Sequence, residues 1–491
     1  MPETPATATA PGASDPLRLA GETEAALRLV AGVANRYLAA LDGEPARRAD
    51  ADAAAARFGG PLPETGDGAL AALTELTRNG LDGAIRASGP RYFHFVQGGA
   101  TPAALGADWL TAVLDQNALG WVGSPLATQL EVVALDWLKG LFGLPPSWGG
   151  VLTSGATMAN LTALAAARHW WASRHGVDVE AQGLSGLPPV PVLSGGYVHP
   201  SALKALTMLG IGRGRVRTFA ADATGRLDVA ALEAALRGLG GAPAILIANA
   251  GEVNAGDFDP IATLADLAAR YGAWLHVDGA FGLFARLSPR TAHLAAGVER
   301  ADSAIADGHK WLNVPYDCGF AFVRDPALLG AAFASGAAYL PRADDPRPSF
   351  MHLGPEMSRR ARSLPVWATL RAYGRAGYRA LVERHLDLAR HLADRVDAAP
   401  DLERLAGVPL NIVCFRFRPP AAPEGDLDAL NARLGQAVLD DGRVYVGSTT
   451  YAGRVALRPA IVNWRTTTED VDLLVDVVRE LGARLVAGRA G

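Results

Sequence analysis

At 491 residues the chain is too long for one simple core, which predicts two or three lobes of a single subunit rather than a string of small modules. Apolar residues make up 49% and charged residues 20%, a globular balance, and a formal net charge of −4 argues against a nucleic-acid or acidic-membrane partner. The two cysteines, Cys318 and Cys414, lie far apart in no CxxC pattern, so no disulfide framework is expected and a reducing, cytoplasmic setting is the default.

Residues 1–16, "MPETPATATAPGASDP", lack the basic start and apolar stretch of a secretory signal and read as a disordered tail. No window approaches the ~18 uninterrupted apolar residues of a membrane span. From Leu17 to Leu41 apolar residues recur at helical spacing, and a second Ala-rich, Pro-broken stretch extends this helical N-terminal arm over 17–88. Over 89–375 helical patterns alternate with the β-rich runs "PVLSGG", "AILIANA", "WLHVDGA", "SAIAD" and "GFAFV". Such alternation predicts an α/β domain with a mainly parallel sheet, whose ligands bind beyond the carboxyl ends of the strands. Residues 334–357 carry four prolines and no periodicity, the mark of a long functional loop. Beyond a helical stretch, "NIVCFRF" and "VALRPAIV" read as strands, and "TTTEDVDLLVDVVREL" as a last helix with Thr466 and Glu469 spaced as a capping box. Residues 376–491 are thus expected to form a smaller α+β domain. The ten histidines include no HExxH and no Cys/His cluster, so no metal site is expected; there is no GxxxxGK[ST], and "GIGRGRVR" does not fit the dinucleotide fingerprint.

Four features stand at strand ends or helix starts. The small-residue turn Thr153 to Thr157 opens a helix and is either a phosphate cradle or an ordinary N-cap. His199 precedes Pro200 and a helix, and could stack on a flat cofactor or simply cap. Asp278 ends an apolar strand, as a cap, an ion-pair member or the partner of a heterocyclic N–H. Lys310, in "IADGHKWLNVPYDCGF", is either an ion-pair partner or a nucleophile. Taken together, in this order and with Asp278 and Lys310 32 residues apart, they match the needs of one cofactor, pyridoxal 5'-phosphate.

The segments "DGHKWLNVPYDCGFAFV", "WLHVDGAFG", "GGVLTSGATMANLTALAAAR" and "LATQLEVVALDWL" closely resemble the pyridoxal-phosphate-dependent group II amino acid decarboxylases, over roughly residue 17 to the C-terminus. The resemblance implies fold type I, the aspartate aminotransferase-like architecture, in a homodimer with shared active sites. It makes Lys310 the Schiff-base lysine, Asp278 the pyridinium partner, and His199 the histidine stacked on the ring. Gly155, Ala156 and Thr157 become the phosphate turn, Ala280 the small residue beneath the ring and His309 the neighbour of the lysine. Tyr339 takes the place of the loop tyrosine that reaches the other subunit's site and protonates carbon after CO2 leaves. His199 and Tyr339 together favour simple decarboxylation over the oxidative aldehyde synthases, while an aminotransferase stays open because no arginine is excluded.

Two departures from the family pattern stand out: "GEVNAG" puts Glu252 and Val253 where hydroxyls are usual, and Asp307 replaces an Asn of some relatives. The resemblance places Phe93, Phe95, Gln97, Asn117 and Trp121 on the substrate side. The aromatic residues suit an aromatic amino acid, the weak preference; Gln97 and Asn117 suit a small polar or acidic one, or are structural.

Overall fold

The computed structural model describes residues 21–334 and 346–488. The expected tail and Tyr339 lie outside the described residues. Seven strands form the central sheet: β1 (Gly149–Thr153), β2 (Val192–Ser194), β3 (Val216–Thr218), β4 (Ile245–Asn249), β5 (Trp274–Asp278), β6 (Ser303–Asp307) and β7 (Gly319–Val323). Their order is β1-β7-β6-β5-β4-β2-β3. The β3/β2, β2/β4, β4/β5 and β5/β6 pairs are parallel, and β7 runs antiparallel to both neighbours. Every residue of β4, β5, β6 and β7 is buried, as expected of strands covered by helices on both faces.

The register sets the site. Asn249 pairs with Asp278, Asp278 with Ile305, and Thr153 and Asp307 both pair with Gly319. The carboxyl ends of β1, β4, β5 and β6 therefore finish along one edge, and the unusual polar residues follow them there.

A second, antiparallel sheet has the order β10-β11-β9-β8, from β8 (Leu402–Arg404), β9 (Phe415–Phe417), β10 (Ser448–Tyr451) and β11 (Arg454–Leu457). It shares an apolar core with the helices Leu427–Asp441 and Thr468–Ala487. The helix Ser363–Ala398 links the two sheets and is broken at Gly374, at φ 58° and ψ −175°. At the N-terminus, the helix Glu22–Ala40 contains no buried residue.

The expected capping box is shifted by one residue: Thr467 is the N-cap and Asp470 its partner. The Thr466 hydroxyl is spent elsewhere, donating to the Pro90 carbonyl at 2.8 Å. β1, which is not among the β-rich runs read from the sequence, is a strand leading into the Thr153–Thr157 turn.

Candidate active site

The turn after β1 opens the helix Ala156–Ser173 through Gly155, at φ 147°. A Cβ there would stand 3.1 Å from His309 Cε1, so the left-handed backbone and the tight packing both call for glycine. No side chain caps this helix. The first-turn N–H groups of Ala156 and Thr157 are thus left for an external acceptor at the positive end of the helix dipole. An ordinary side-chain cap, the alternative reading of this turn, is absent.

His199 is the N-cap of the helix Pro200–Met208, its Nδ1 accepting the Ser201 N–H at 3.2 Å. Capping orients the ring rather than replacing a site role. The ring is exposed at one face, yet the desolvation of its inner side lowers its pKa, an effect that Lys310 reinforces and Asp278 opposes. Asp278 accepts from Ala280 N at 3.2 Å and from Asn160 Nδ2 at 3.1 Å.

Lys310 Nζ lies 3.3 Å from Asp307 Oδ2 and 5.8 Å from the Phe281 ring centroid. Lys310 is therefore ion-paired, the first of its two readings, and it also lines a cavity. Asp307 turns its Oδ2 to Lys310 and, at 3.5 Å, to His309 Nε2, while its buried Oδ1 has no hydrogen-bond partner among the described residues. His309 stacks on Tyr316 at 4.1 Å and accepts from Cys318 N through Nδ1.

Glu252 supports its own turn. Its carboxylate accepts from Asn254 N at 2.8 Å, Asn254 Nδ2 at 2.5 Å and Ala255 N at 2.9 Å, and burial raises its pKa. Asn254 Oδ1 in turn accepts the Thr449 hydroxyl at 2.5 Å, which ties this turn to β10 of the second sheet.

On the substrate side, Gly98 N donates to His309 O at 3.1 Å, and a Cβ on Gly98 would lie 1.8 Å from Lys310 O. The 93–98 segment therefore runs directly against the lysine's backbone. Phe95 and Val96 both adopt positive φ, 55° and 59°, a strained pair of non-glycine residues that leaves Phe95 57% exposed and stacked on His94 at 3.6 Å. Gln97 is half-buried and makes no side-chain hydrogen bond among the described residues. Phe93 corrects the expectation: its backbone N–H pairs with Tyr445 O, and its side chain, 1% exposed, packs into the core of the second sheet instead of a substrate wall. Asn117 Oδ1 is engaged by Arg359 N at 3.0 Å, a structural bond, and half-buried Trp121 donates its backbone N–H to Pro348 O at 3.1 Å.

The sequence reading missed Asn160 and Arg458. Arg458, half-buried at the end of β11, has no carboxylate within ion-pair distance among the described residues and reaches only the Val253 carbonyl, at 3.4 Å. Burial lowers its pKa, and its charge helps lower those of His94 and His199.

His199, Asp278, Ala280, Phe281 and Lys310 line a cavity of about 180 Å³ that Glu252 and its turn also border. The lining suits a flat heterocycle: the carboxylate of Asp278, the imidazole of His199, the small Ala280, and the amine of Lys310 past the strand end. The uncapped helix start supplies the complementary anion site. The donor set therefore fits pyridoxal 5'-phosphate.

Residues 61–418 match the family model described as pyridoxal-dependent decarboxylase conserved domain. The chain is 35% identical over 435 residues to the L-2,4-diaminobutyrate decarboxylase of Rhizobium meliloti (strain 1021), covering 87% of this chain and 84% of that one. It is 31% identical over 417 residues to the aromatic-L-amino-acid decarboxylase of Bacillus atrophaeus, covering 84% and 85%. The solved structure of Oryza sativa TDC with PLP and tryptamine matches with a TM-score of 0.87 at 26% identity, over 95% of this chain and 99% of that one.

Proposed function

Because the chain belongs to the pyridoxal-dependent decarboxylase family, a fold type I group, we propose that the cavity at Lys310 is where it removes CO2 from an L-amino acid. Pyridoxal 5'-phosphate, when bound, supplies the electron sink for the bond that breaks. The single observation that carries the assignment is the convergence of Lys310, Asp278, His199 and Ala280 on one cavity.

The N–H groups of Gly155, Ala156 and Thr157 would hold the phosphate. Asp278 would keep a proton on the ring nitrogen, His199 and Ala280 would pack against the ring, and Lys310 Nζ would hold the aldehyde carbon. His309 positions Lys310 through its contact with Asp307. Asp307, 3.3 Å from Lys310 Nζ, would hold the lysine nitrogen when it is not attached to the cofactor. The pocket must present the substrate carboxylate perpendicular to the ring, since that geometry selects CO2 loss. Tyr339 is the group we assign to return a proton to the carbon.

Phe95 and Trp121 offer aromatic faces and support an aromatic substrate. The free amide of Gln97 and the guanidinium of Arg458 favour the second reading, a small polar or acidic amino acid. His199 in its capping position weighs against an oxidative aldehyde synthase.

We also infer a homodimer and a cytoplasmic setting. Leu110 (56% exposed), Val113 (65%), Val122 (67%) and Leu126 (53%) are exposed apolar side chains of segments close in sequence, and the helix Glu22–Ala40 contains no buried residue. Cys318 and Cys414 are buried and unpaired, as suits a reducing compartment. No helix of the described residues is long and apolar enough to cross a membrane. The proposed division into an arm (17–88), a large domain (89–375) and a small domain (376–491) is supported by the separate core of the second sheet and by the break at Gly374.

Incubation with a panel of amino acids tests the function. CO2 and amine in equal amounts, without a 2-oxo acid acceptor, are expected. Dependence on a 2-oxo acid would indicate an aminotransferase, and H2O2 with ammonia an aldehyde synthase.

A further inference from the structure

A buried chain of hydrogen bonds runs beneath the cavity, and its direction can be read unambiguously. The Trp274 indole can only donate, and Nε1–H does so to Ser303 Oγ at 3.0 Å. The other end sets the direction: the Asp278 carboxylate accepts from Asn160 Nδ2, so Asn160 Oδ1 faces His276 Nε2, and the unprotonated Nδ1 of neutral His276 accepts the Ser303 hydroxyl, 2.9 Å away. His276 then carries its proton on Nε2 and donates it to Asn160 Oδ1 at 2.8 Å. The same amide's Nδ2 donates to Asp278 Oδ2 and to Ser201 Oγ, each at 3.1 Å. Ser201 passes its hydroxyl proton to His199 Nδ1 at 2.6 Å. A second, independent donor agrees: the Ser201 backbone N–H also points at His199 Nδ1, which must accept.

We infer that Asn160 is a positioning residue that holds Asp278 and His199 through one amide group, and that the chain it belongs to fixes His199 as the tautomer with its proton on Nε2. The hydrogen bonds of the ring all fall on Nδ1 among the described residues, and the ring lines the cavity. Asn160, Ser201 and His276 are all buried, and each bond in the chain uses a donor once. The neutral state of His276, held by complete burial, is what this direction requires. One side chain thereby sets the angle of the two groups proposed to grip opposite features of the ring, its nitrogen and its face. At metal centres, losing such an orienting partner of a ligand typically costs about 10- to 100-fold in affinity, and the same scale is expected here.

The inference rests on the proposed roles of His199 and Asp278, so its test has an arm independent of them. In the cofactor-free full chain labelled with 15N-histidine, and with the His199 signals identified by their loss in His199→Asn, the ring should show neutral Nε2–H and unprotonated Nδ1. A proton on Nδ1 would overturn the chain's direction, whatever the enzyme does. In the second arm, Asn160→Leu should raise the dissociation constant for pyridoxal 5'-phosphate about 10- to 100-fold and shift the absorbance maximum of bound cofactor. Ser201→Ala, which cuts only the His199 branch, should shift the same band with a smaller loss of affinity, and it serves if Asn160→Leu fails to fold. Affinity and absorbance of Ser201→Ala indistinguishable from the parent would overturn the positioning role. Failure of the parent chain to bind the cofactor would instead strike the functional reading, leaving the tautomer result standing.

Discussion

Asp307 shows how one residue departs from a family pattern without losing the site. A carboxylate near a phosphate turn is unfavourable, yet here it faces Lys310 at 3.3 Å and balances the ammonium in a buried setting. Asp307→Asn leaves that ammonium without a partner in the cofactor-free protein, whereas cofactor attachment uses the lysine up. We expect the variant to be destabilised by about 3–5 kcal/mol without cofactor and by clearly less with it, read as a wider gap between the two melting curves. Equal destabilisation in both forms would contradict the pairing. Lys310, Asp278, His199 and the Gly155 turn were legible in the sequence because each stands at a strand end or helix start with an unusual residue type. Asn160 was not, because its partners Ser201, His276 and Asp278 lie 41, 116 and 118 residues away. Phe93 was misread because only the pairing with Tyr445 turns its side chain into the second core.

At the scale of elements, the turn that would hold the phosphate depends on how β1 is anchored. Glu131 Oε1 accepts from Leu152 N at 2.9 Å, and the same carboxylate pairs with Arg359, at 2.6 Å between Arg359 Nη2 and Glu131 Oε1. Arg359 Nη2 also donates to the Leu152 carbonyl at 2.7 Å. Both side chains are at most 2% exposed. Glu131→Gln keeps the shape but leaves a buried guanidinium uncompensated. A loss of about 3–5 kcal/mol is expected from urea unfolding, with weaker cofactor binding because β1 leads directly into Gly155. The strands β4 to β7 were readable because strands buried on both faces give near-continuous apolar runs. β1 begins Gly149-Gly150 and carries no such run, so only its turn stood out in the sequence. The capping box slipped by one because three threonines stand in a row, and only the bond from Thr466 to Pro90 decides which of them is free to cap.

For the whole molecule, buried neutral histidines set the acid limit. Burial lowers the pKa of His276 to about 4 and of His385 to about 3, from an ordinary 6.5. The unfolded chain therefore takes up protons first, so stability is full above pH 6.5, falls as pH drops below it, and levels off near the folded values. The contribution of His276 alone is on the order of 3 kcal/mol, and melting temperature measured from pH 7 to pH 4 should decline accordingly. The exposed apolar side chains predict that the 51.1 kDa chain sediments at twice its mass. Leu110→Glu with Val113→Glu should shift it toward the monomer; sedimentation of the unaltered protein as a monomer would contradict the shared-site reading. The most direct measurement is CO2 release from a panel of amino acids by the cofactor-loaded parent and by Lys310→Ala. The parent should release CO2 and amine in equal amounts from at least one substrate, and the variant should lose both this activity and the absorbance band of lysine-bound cofactor. CO2 release that survives Lys310→Ala undiminished, or none from any amino acid by the parent, would contradict the assignment.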